Sequence, residues 1–208
     1  MLRFAANVTT LFQELEFLDR FEAASNAGFS AVECQLPYEF NKWAIAEKLE
    51  RFGLEMVLHN LPAGDWEAGT RGLACNPNQR NEFQDSLALG IEYAKALKCR
   101  RVNCLSGLTP ENVSEPALRE TFIENLRVAA TALEREGIQL VSEPINNRDV
   151  PGFYLTGFHQ ALTILHAVEH SNLRIQCDVY HLAMMDTPIV DTLKQHLAQI
   201  GHFQFADC

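Results

Sequence analysis

The chain alternates between short apolar runs, several rich in β-branched residues, and longer stretches whose apolar residues have helical spacing. The strand-like runs begin near positions 3, 31, 55, 101, 138, 173 and 201. Regular alternation of this kind is typical of βα units, which build a parallel sheet. The sequence therefore predicts an α/β protein with seven parallel strands.

Local signals mark where several of the helices begin and end. Asn41 and Ser114 are placed to cap the N-termini of two helices, and Gly53 and Gly137 are placed to end them. Pro188 suits the start of a later helix. Residues 61–78 are rich in Gly, Pro and Asn and predict a long loop. A loop of that length in a compact chain usually has a function.

Two architectures accommodate such alternation, an open doubly wound sheet and a (β/α)₈ barrel. The Gly-rich fingerprint that opens a dinucleotide-binding sheet does not follow the first strand-like run. The chain has seven strand-and-helix units, of which the seventh lacks its helix. This favours the barrel, a fold of roughly 250 residues, with its eighth unit absent. We predict a (β/α)₈ TIM barrel whose eighth βα unit is missing from this chain, with residues 1–208 forming one domain.

Charge and composition argue against several classes of protein. Lys and Arg number 17 against 27 Asp and Glu, a net charge of −10, which disfavours a nucleic-acid partner. No apolar run approaches the roughly 20 residues that cross a bilayer, and the N-terminus has no targeting pattern. We therefore expect a cytoplasmic protein with no membrane partner. The six cysteines form no C-x-x-C pair and are expected to be buried, reduced thiols.

Polar residues cluster where the predicted strands end, which is the catalytic face of a TIM barrel. They are Glu33, His59, Glu143, Asp178 with His181, and Gln204 with Asp207. Glu143, Asp178 and Gln204 come from three consecutive strands, so their side chains could converge on one point. Two carboxylates and an amide oxygen suit Mg²⁺ or Mn²⁺ better than Zn²⁺.

Each of these residues also has a purely structural interpretation. An acid at a strand end often only caps the next helix or lies in solvent. However, an ionised Asp178 in an apolar strand is costly unless it is paired or binds a metal. Gln204 faces away from Phe203 and Phe205 and, taken singly, is a satisfied interior amide. His59 and His181 are each more often structural than catalytic.

Several segments resemble the hydroxypyruvate isomerase family of xylose-isomerase-like TIM barrels. The most specific is HNLPAGDW at 59–66, and the others lie at 3–7, 36–38, 143–146, 151–153, 178–181 and 202–207. The resemblance runs through essentially the whole chain in order. The 2-oxo-tetronate isomerases are similar, but the 59–66 string is associated with the hydroxypyruvate branch.

The resemblance implies reversible conversion of hydroxypyruvate to 2-hydroxy-3-oxopropanoate through an enediolate. It implies that Glu143 transfers the proton and binds a divalent metal together with Asp178 and Gln204. His59 and His181 would orient or polarise substrate oxygens. Arg71 and Arg148 are candidates for the substrate carboxylate, although either could equally be a solvated loop charge.

One feature of the family does not occur in these 208 residues. The resemblance implies a second proton-transferring glutamate on the eighth strand, and the chain stops directly after the seventh. Three hypotheses remain: a hydroxypyruvate isomerase, an isomerase or epimerase of another small hydroxy-oxo acid or sugar, and a catalytically impaired or non-catalytic form. A zinc nuclease of the same superfamily fits the acidic charge poorly. The expected partner is a small-molecule substrate, and a homo-oligomer is left open.

Overall fold

The computed structural model describes residues 3–206, which contain one seven-stranded parallel sheet with its strands in chain order. The strands are β1 (Ala6–Asn7), β2 (Ala31–Cys34), β3 (Glu55–Asn60), β4 (Arg101–Asn103), β5 (Gln139–Ser142), β6 (Leu173–Asp178) and β7 (Ile200–Gln204). Each strand pairs in parallel with the next along the chain. All seven predicted strands are confirmed, and consecutive strand ends therefore meet at one edge of the sheet.

Helices connect the strands, as the alternation predicts. They are α1 (Arg20–Asn26), α2 (Lys42–Phe52), α3 (Arg80–Ala96), α4 (Glu115–Arg135), α5 (Phe158–Val168), α6 (Val179–Met184) and α7 (Ile189–His196). Short 3₁₀ turns occupy Phe17–Asp19, Pro77–Gln79 and Leu197–Gln199. Within residues 3–206, no helix combines the length and the apolar character needed to span a membrane.

The predicted helix ends are confirmed except for one cap. The Asn41 side chain accepts a hydrogen bond from the backbone N–H of Trp43 at 2.9 Å, and Gly53 ends the same helix at φ 65°. Ser114 precedes α4 but makes no side-chain bond to its first turn. Pro116, the second residue of α4, has no backbone N–H, so only that of Ala117 remains of the two that a cap usually bonds.

The core lies between the sheet and the helices that cover it. Phe83 on α3 and Phe122 on α4 are fully buried, as their helical spacing predicts. Five cysteines, Cys34, Cys75, Cys99, Cys104 and Cys177, are buried and unpaired. The expectation of reduced thiols is confirmed for these five. Cys208 and the candidate Asp207 lie outside the described residues.

The predicted loop at 61–78 is fixed against the segment that follows β4. Gly72 forms an isolated antiparallel bridge with Ser106, and its N–H donates to the Ala63 carbonyl at 2.9 Å. Gly107 has φ 96°, and a Cβ atom there would overlap the Gly72 carbonyl. The loop is therefore held at the edge where the strands end, by a contact that has no room for a side chain at Gly107.

Candidate active site

Glu143 follows β5 directly and is buried at the edge where the strands end. Its Oε2 accepts a hydrogen bond from Asn103 Nδ2 at 3.1 Å, and the same amide donates to Asn60 Oδ1 at 3.0 Å. Asn60, Asn103 and Glu143 belong to three neighbouring strand ends. The Glu143 carboxyl group is therefore fixed from the side of β3 and β4.

Asp178 is the last residue of β6 and also the N-cap of α6. Its Oδ1 accepts a hydrogen bond from the backbone N–H of Tyr180 at 2.8 Å. This is the capping role that the sequence left open, and it occupies one side of the carboxylate. His181, one turn into α6, is carried to the same strand end.

Glu143, Asp178 and His181 form a group that could hold a metal ion. One potential ligand atom from each residue lies within 4.8 Å of the others. Gln204 is the register partner of Asp178 on β7, and its Oε1 accepts a hydrogen bond from Gln176 Nε2 at 2.7 Å. The structure thus brings Glu143 and Asp178 together and places Gln204 beside Asp178 on the next strand.

Burial and the second carboxylate govern the charge of Glu143. Loss of water contact, and then repulsion from Asp178, raise the pKa of Glu143 to about 8. Hydrogen bonds from Gln176 and Asn103 offset only part of this shift. Without a cation the two carboxyl groups therefore do not both ionise at neutral pH. A cation between them would favour the doubly ionised pair.

The hydrogen bonds of His181 determine which ring nitrogen can donate. Asn146 Nδ2 lies 2.7 Å from His181 Nδ1. The orientation of that amide is fixed because Asn146 Oδ1 accepts from the backbone N–H groups of Arg148 and Asp149 at 3.0 and 2.9 Å. Burial lowers the pKa of His181 despite the opposing effects of Asp178 and Asp149. The neutral ring therefore accepts at Nδ1 and carries its hydrogen on Nε2.

This arrangement bears on metal binding by His181. A neutral imidazole that binds a metal through Nε2 carries its hydrogen on Nδ1. That hydrogen would face the NH₂ group of Asn146, and two donors would then oppose each other. The arrangement suits a hydrogen-bond donor better than a metal ligand.

His59 is buried away from this group. Its Nδ1 lies 3.1 Å from the Tyr38 hydroxyl and 3.0 Å from the Asn60 carbonyl oxygen, and its ring packs edge-on against Tyr38. Neighbouring residues on a strand face opposite sides, and Asn60 faces Asn103. Burial lowers the pKa of His59 to about 4. The structure does not bring His59 together with Glu143 and Asp178.

The two candidate arginines are held within the loops that carry them. The Arg71 guanidinium lies 4.1 Å from the centre of the Trp66 ring. Its Nη1 donates to the carbonyl oxygens of Trp66 and Thr70 at 2.8 and 2.9 Å. Arg148 forms an exposed ion pair with Asp186 at 2.9 Å. Arg71 lies in the loop fixed at the strand-end edge, whereas Arg148 is bound to a surface carboxylate.

Sequence reasoning missed several polar residues around the site. Asn103, Asn146 and Gln176 are buried and were not singled out as site residues. Gln176 precedes Asp178 by two residues, and strand alternation places both on one face. Asn103 is the last residue of β4, and Glu143 lies at the corresponding place directly after β5. Applying the alternation of side chains to each strand end would have identified Gln176 and Asn103. The contact of Asn146 with His181 depends instead on the conformation of the loop after Glu143.

Comparison with known proteins agrees with this architecture. A family model described as xylose isomerase-like TIM barrel matches residues 21–208. The chain belongs to this family. The match includes Glu143, Asp178 and Gln204, and it confirms the predicted barrel class and the resemblance drawn from the motifs.

Relatives within the family cover nearly all of the chain. The hydroxypyruvate isomerase of Escherichia coli is 47% identical over 207 residues, spanning 100% of this chain and 80% of the relative. The 2-oxo-tetronate isomerase of Cupriavidus necator is 38% identical, spanning 99% of this chain and 79% of the relative. A crystal structure titled AP endonuclease, family 2, from Brucella melitensis superposes with a TM-score of 0.96 at 40% identity, covering 99% of this chain and 80% of that one.

Proposed function

We propose that this chain is an isomerase of small hydroxy-oxo acids, with hydroxypyruvate and 2-hydroxy-3-oxopropanoate as the interconverted pair. One observation carries the proposal. A buried carboxyl group, Glu143, whose pKa is about 8, lies beside a second carboxylate at the catalytic edge of the barrel. The names of the E. coli and C. necator relatives support the substrate class.

A divalent cation, Mg²⁺ or Mn²⁺, is the proposed cofactor. Glu143, Asp178 and Gln204 would hold it, because they offer oxygen atoms, which these cations prefer. The raised pKa of Glu143 supports this assignment, since a cation would relieve the repulsion between the two carboxylates. When bound, such a cation polarises the substrate carbonyl and makes a hydrogen on the adjacent carbon more acidic.

Glu143 is the proposed proton-transfer residue. It accepts a proton from the hydroxymethyl carbon of hydroxypyruvate and returns one to the ketone carbon, while the hydroxyl proton passes to the former ketone oxygen. The hydroxymethyl carbon thereby becomes the aldehyde and the ketone becomes a secondary alcohol. With the cation bound, Glu143 is ionised, and a carboxylate in this state can accept the proton from carbon. The surrounding buried side chains, Asn103 and Gln176, keep the group fixed in this environment.

His181 and Arg71 are proposed to bind the substrate. The Nε2–H of His181 would donate to a substrate oxygen, because its Nδ1 is already bonded to Asn146. The stacked position of Arg71 on Trp66, in a loop fixed near the strand ends, supports a role in binding the substrate carboxylate. The buried position of His59 supports an indirect role, in which it holds Tyr38 and the end of β3.

The decisive experiment measures hydroxypyruvate isomerisation with Mg²⁺ or Mn²⁺ by NMR. We expect Glu143→Gln and Asp178→Asn each to lower turnover about 100-fold or more, because the first removes the proton carrier and the second a metal-binding charge. Glu47→Gln, an exposed site on α2, is the matched control and should turn over at the wild-type rate. Wild-type rates in both site variants would refute the proposal.

The relatives extend beyond the matched region, and the family resemblance implies a glutamate on an eighth strand. The 208-residue chain should therefore be assayed beside a version extended by the corresponding βα unit of the E. coli relative. Activity in the extended form alone would show that this unit is required. Activity in neither form, with all substrates tested, would favour the non-catalytic alternative.

A second candidate substrate is 2-oxo-tetronate, favoured by the C. necator relative. The same residues would act on it, because its reacting carbonyl and hydroxyl groups lie on adjacent carbons, as they do in hydroxypyruvate. A panel of hydroxypyruvate, 2-oxo-tetronate and a ketose separates these choices through kcat/KM. The highest value on a substrate other than hydroxypyruvate would replace the first assignment.

A further inference from the structure

Glu33, at the end of β2, is a buried carboxylate that the reaction outlined above does not use. Its Oε1 accepts hydrogen bonds from Gln204 Nε2 at 2.6 Å and from Asn7 Nδ2 at 3.1 Å. Its Oε2 lies 2.7 Å from His202 Nε2. Glu33 therefore joins β2 to β1 and, across the interior, to β7.

An arginine determines the direction of these hydrogen bonds. Arg101 can only donate, and its Nη1 lies 3.4 Å from His202 Nδ1. His202 therefore accepts at Nδ1 and carries its hydrogen on Nε2, from which it donates to Glu33. Asn7 Oδ1 accepts from the backbone N–H of Thr9, so Asn7 presents its NH₂ group to Glu33 Oε1. That oxygen is therefore an acceptor, and Gln204 also presents its NH₂ group to it.

The opposite end of the Gln204 amide then faces the candidate metal site. With its nitrogen bonded to Glu33, Gln204 directs Oε1 toward Gln176, whose Nε2 donates to it at 2.7 Å. Gln176 also hydrogen-bonds Glu143, and Asp178 is the register partner of Gln204. The carbonyl oxygen, and not the NH₂ group, is thus on the side of the two carboxylates.

We propose that Glu33 is a positioning residue that holds Gln204 with its carbonyl oxygen toward the divalent cation that Glu143 and Asp178 would bind. The inference rests on the proposed function, since it assumes that this site takes a cation. Only the oxygen of an amide is a useful ligand for Mg²⁺ or Mn²⁺. A reversed Gln204 would direct hydrogen atoms at the cation and oppose its binding.

Glu33→Gln tests this role with almost no change in shape. His202 donates to the position of Oε2, whereas Gln204 and Asn7 donate to the position of Oε1, so an amide can accept at only one of its two ends. If its NH₂ group lies toward Gln204, the Gln204 amide is driven to reverse, and if its oxygen lies there, the hydrogen bond that holds Gln204 loses the carboxylate charge. We expect the affinity for Mn²⁺, measured by calorimetry or by EPR of free Mn²⁺, to fall about tenfold or more.

The exchanged pair Glu33→Gln with Gln204→Glu distinguishes positioning from general structural support. In it the residue 33 amide donates to a carboxylate at position 204, which still offers an oxygen to the cation. The total charge equals that of the wild type. We expect Gln204→Glu to raise the Mn²⁺ affinity more in the Glu33→Gln background than in the wild type, so that the double variant recovers most of the lost affinity. A purely structural role predicts the same change in both backgrounds.

Thermal unfolding should show that all variants are folded, and Glu47→Gln should bind Mn²⁺ as the wild type does. Unchanged affinity in Glu33→Gln, or a double variant no better than the single one, overturns the inference alone. A wild-type chain that binds no Mn²⁺ overturns the proposed metal site, and the inference with it.

A measurement on the wild type decides the question even if Glu33→Gln does not fold. The Gln204 side-chain NH₂ signals, assigned by their loss in Gln204→Glu, should stay protected from exchange when Mg²⁺ is added. The Gln204 Cδ signal should shift, because the carbonyl oxygen binds. Loss of NH₂ protection with an unmoved Cδ signal would contradict the inference.

Discussion

The side-chain nitrogen of Asn146 lies 2.7 Å from Nδ1 of His181, and this contact determines how the histidine can serve the site. The Asn146 amide cannot reverse, because two backbone N–H groups hold its oxygen. The histidine is thereby kept as a neutral ring with a single hydrogen on Nε2. Such a ring can donate to a substrate oxygen and is poorly suited to binding a cation.

Replacing Asn146 with Asp should reverse the preference of His181. A carboxylate at this position accepts where the amide donated, and it adds negative charge beside Asp149. We therefore expect the pKa of His181 to rise from below its ordinary value of 6.5 to above it, and Nδ1 to carry a hydrogen. A pH titration followed by ¹⁵N NMR measures both changes. Asn78→Asp, the same charge change at an exposed position, should leave His181 unaffected.

The stability of the metal-free chain should fall as pH rises toward 9. The folded-state pKa of Glu143 is about 8 and its ordinary value is 4.5, so between these values the folded chain binds more protons than the unfolded chain. Its free energy of unfolding then decreases with pH. Glu143→Gln removes this dependence and should be more stable than the wild type at pH 9, by on the order of 4 kcal/mol.

Urea unfolding in EDTA at pH 6 and pH 9 measures this effect. Glu47→Gln changes the same charge on the surface and should follow the wild-type pH dependence. A wild-type chain equally stable at both pH values, with Glu143→Gln unchanged from it, would show that Glu143 ionises normally when folded.

Cation binding should depend on pH in the opposite sense. Protons compete with the cation for Glu143, so the apparent affinity for Mn²⁺ should increase about tenfold per pH unit up to about pH 8 and then level off. Calorimetric titrations between pH 6 and pH 9 test this dependence, and proton release in buffers of different ionisation enthalpy gives a second readout. An affinity that does not change over this range would place the cation elsewhere.

Gly107→Ala should destabilise the chain and loosen the loop at 61–78. The added Cβ overlaps the Gly72 carbonyl, and the residue keeps a positive φ that disfavours alanine. Gly28 has φ 90° but open space around the corresponding Cβ position, so Gly28→Ala carries the backbone strain without the overlap. Thermal unfolding should show a larger loss for Gly107→Ala, and proteolysis at 61–78 should increase only there.

Much of the fold follows from the sequence because its signals are local. Strand and helix periodicity identified all seven strands, and the strand-end rule of barrels identified Glu143 and Asp178. Contacts between distant strands are different in kind. The Glu33–Gln204 hydrogen bond joins residues 171 positions apart and requires the sheet to curve until β2 and β7 face each other across its interior. No local sequence pattern predicts that curvature.

His59 shows a second limit of sequence reasoning. The 59–66 motif and its strand-end position singled it out, but a strand end exposes only one of two adjacent side chains to the interior. Asn60 takes that place, and its amide oxygen bonds to Asn103. The choice depends on the registers of β3 and β4, which spacing along the chain does not reveal.

Asp178 begins the helix that carries His181 and also belongs to the candidate metal-binding group. A substitution there that removes both oxygens displaces a histidine three residues later as well as a charge. Asp178→Asn keeps the cap, since asparagine caps helices well, and so removes the charge and one oxygen while leaving α6 in place. Changing the chemistry at this position without displacing His181 therefore requires a residue that also begins a helix.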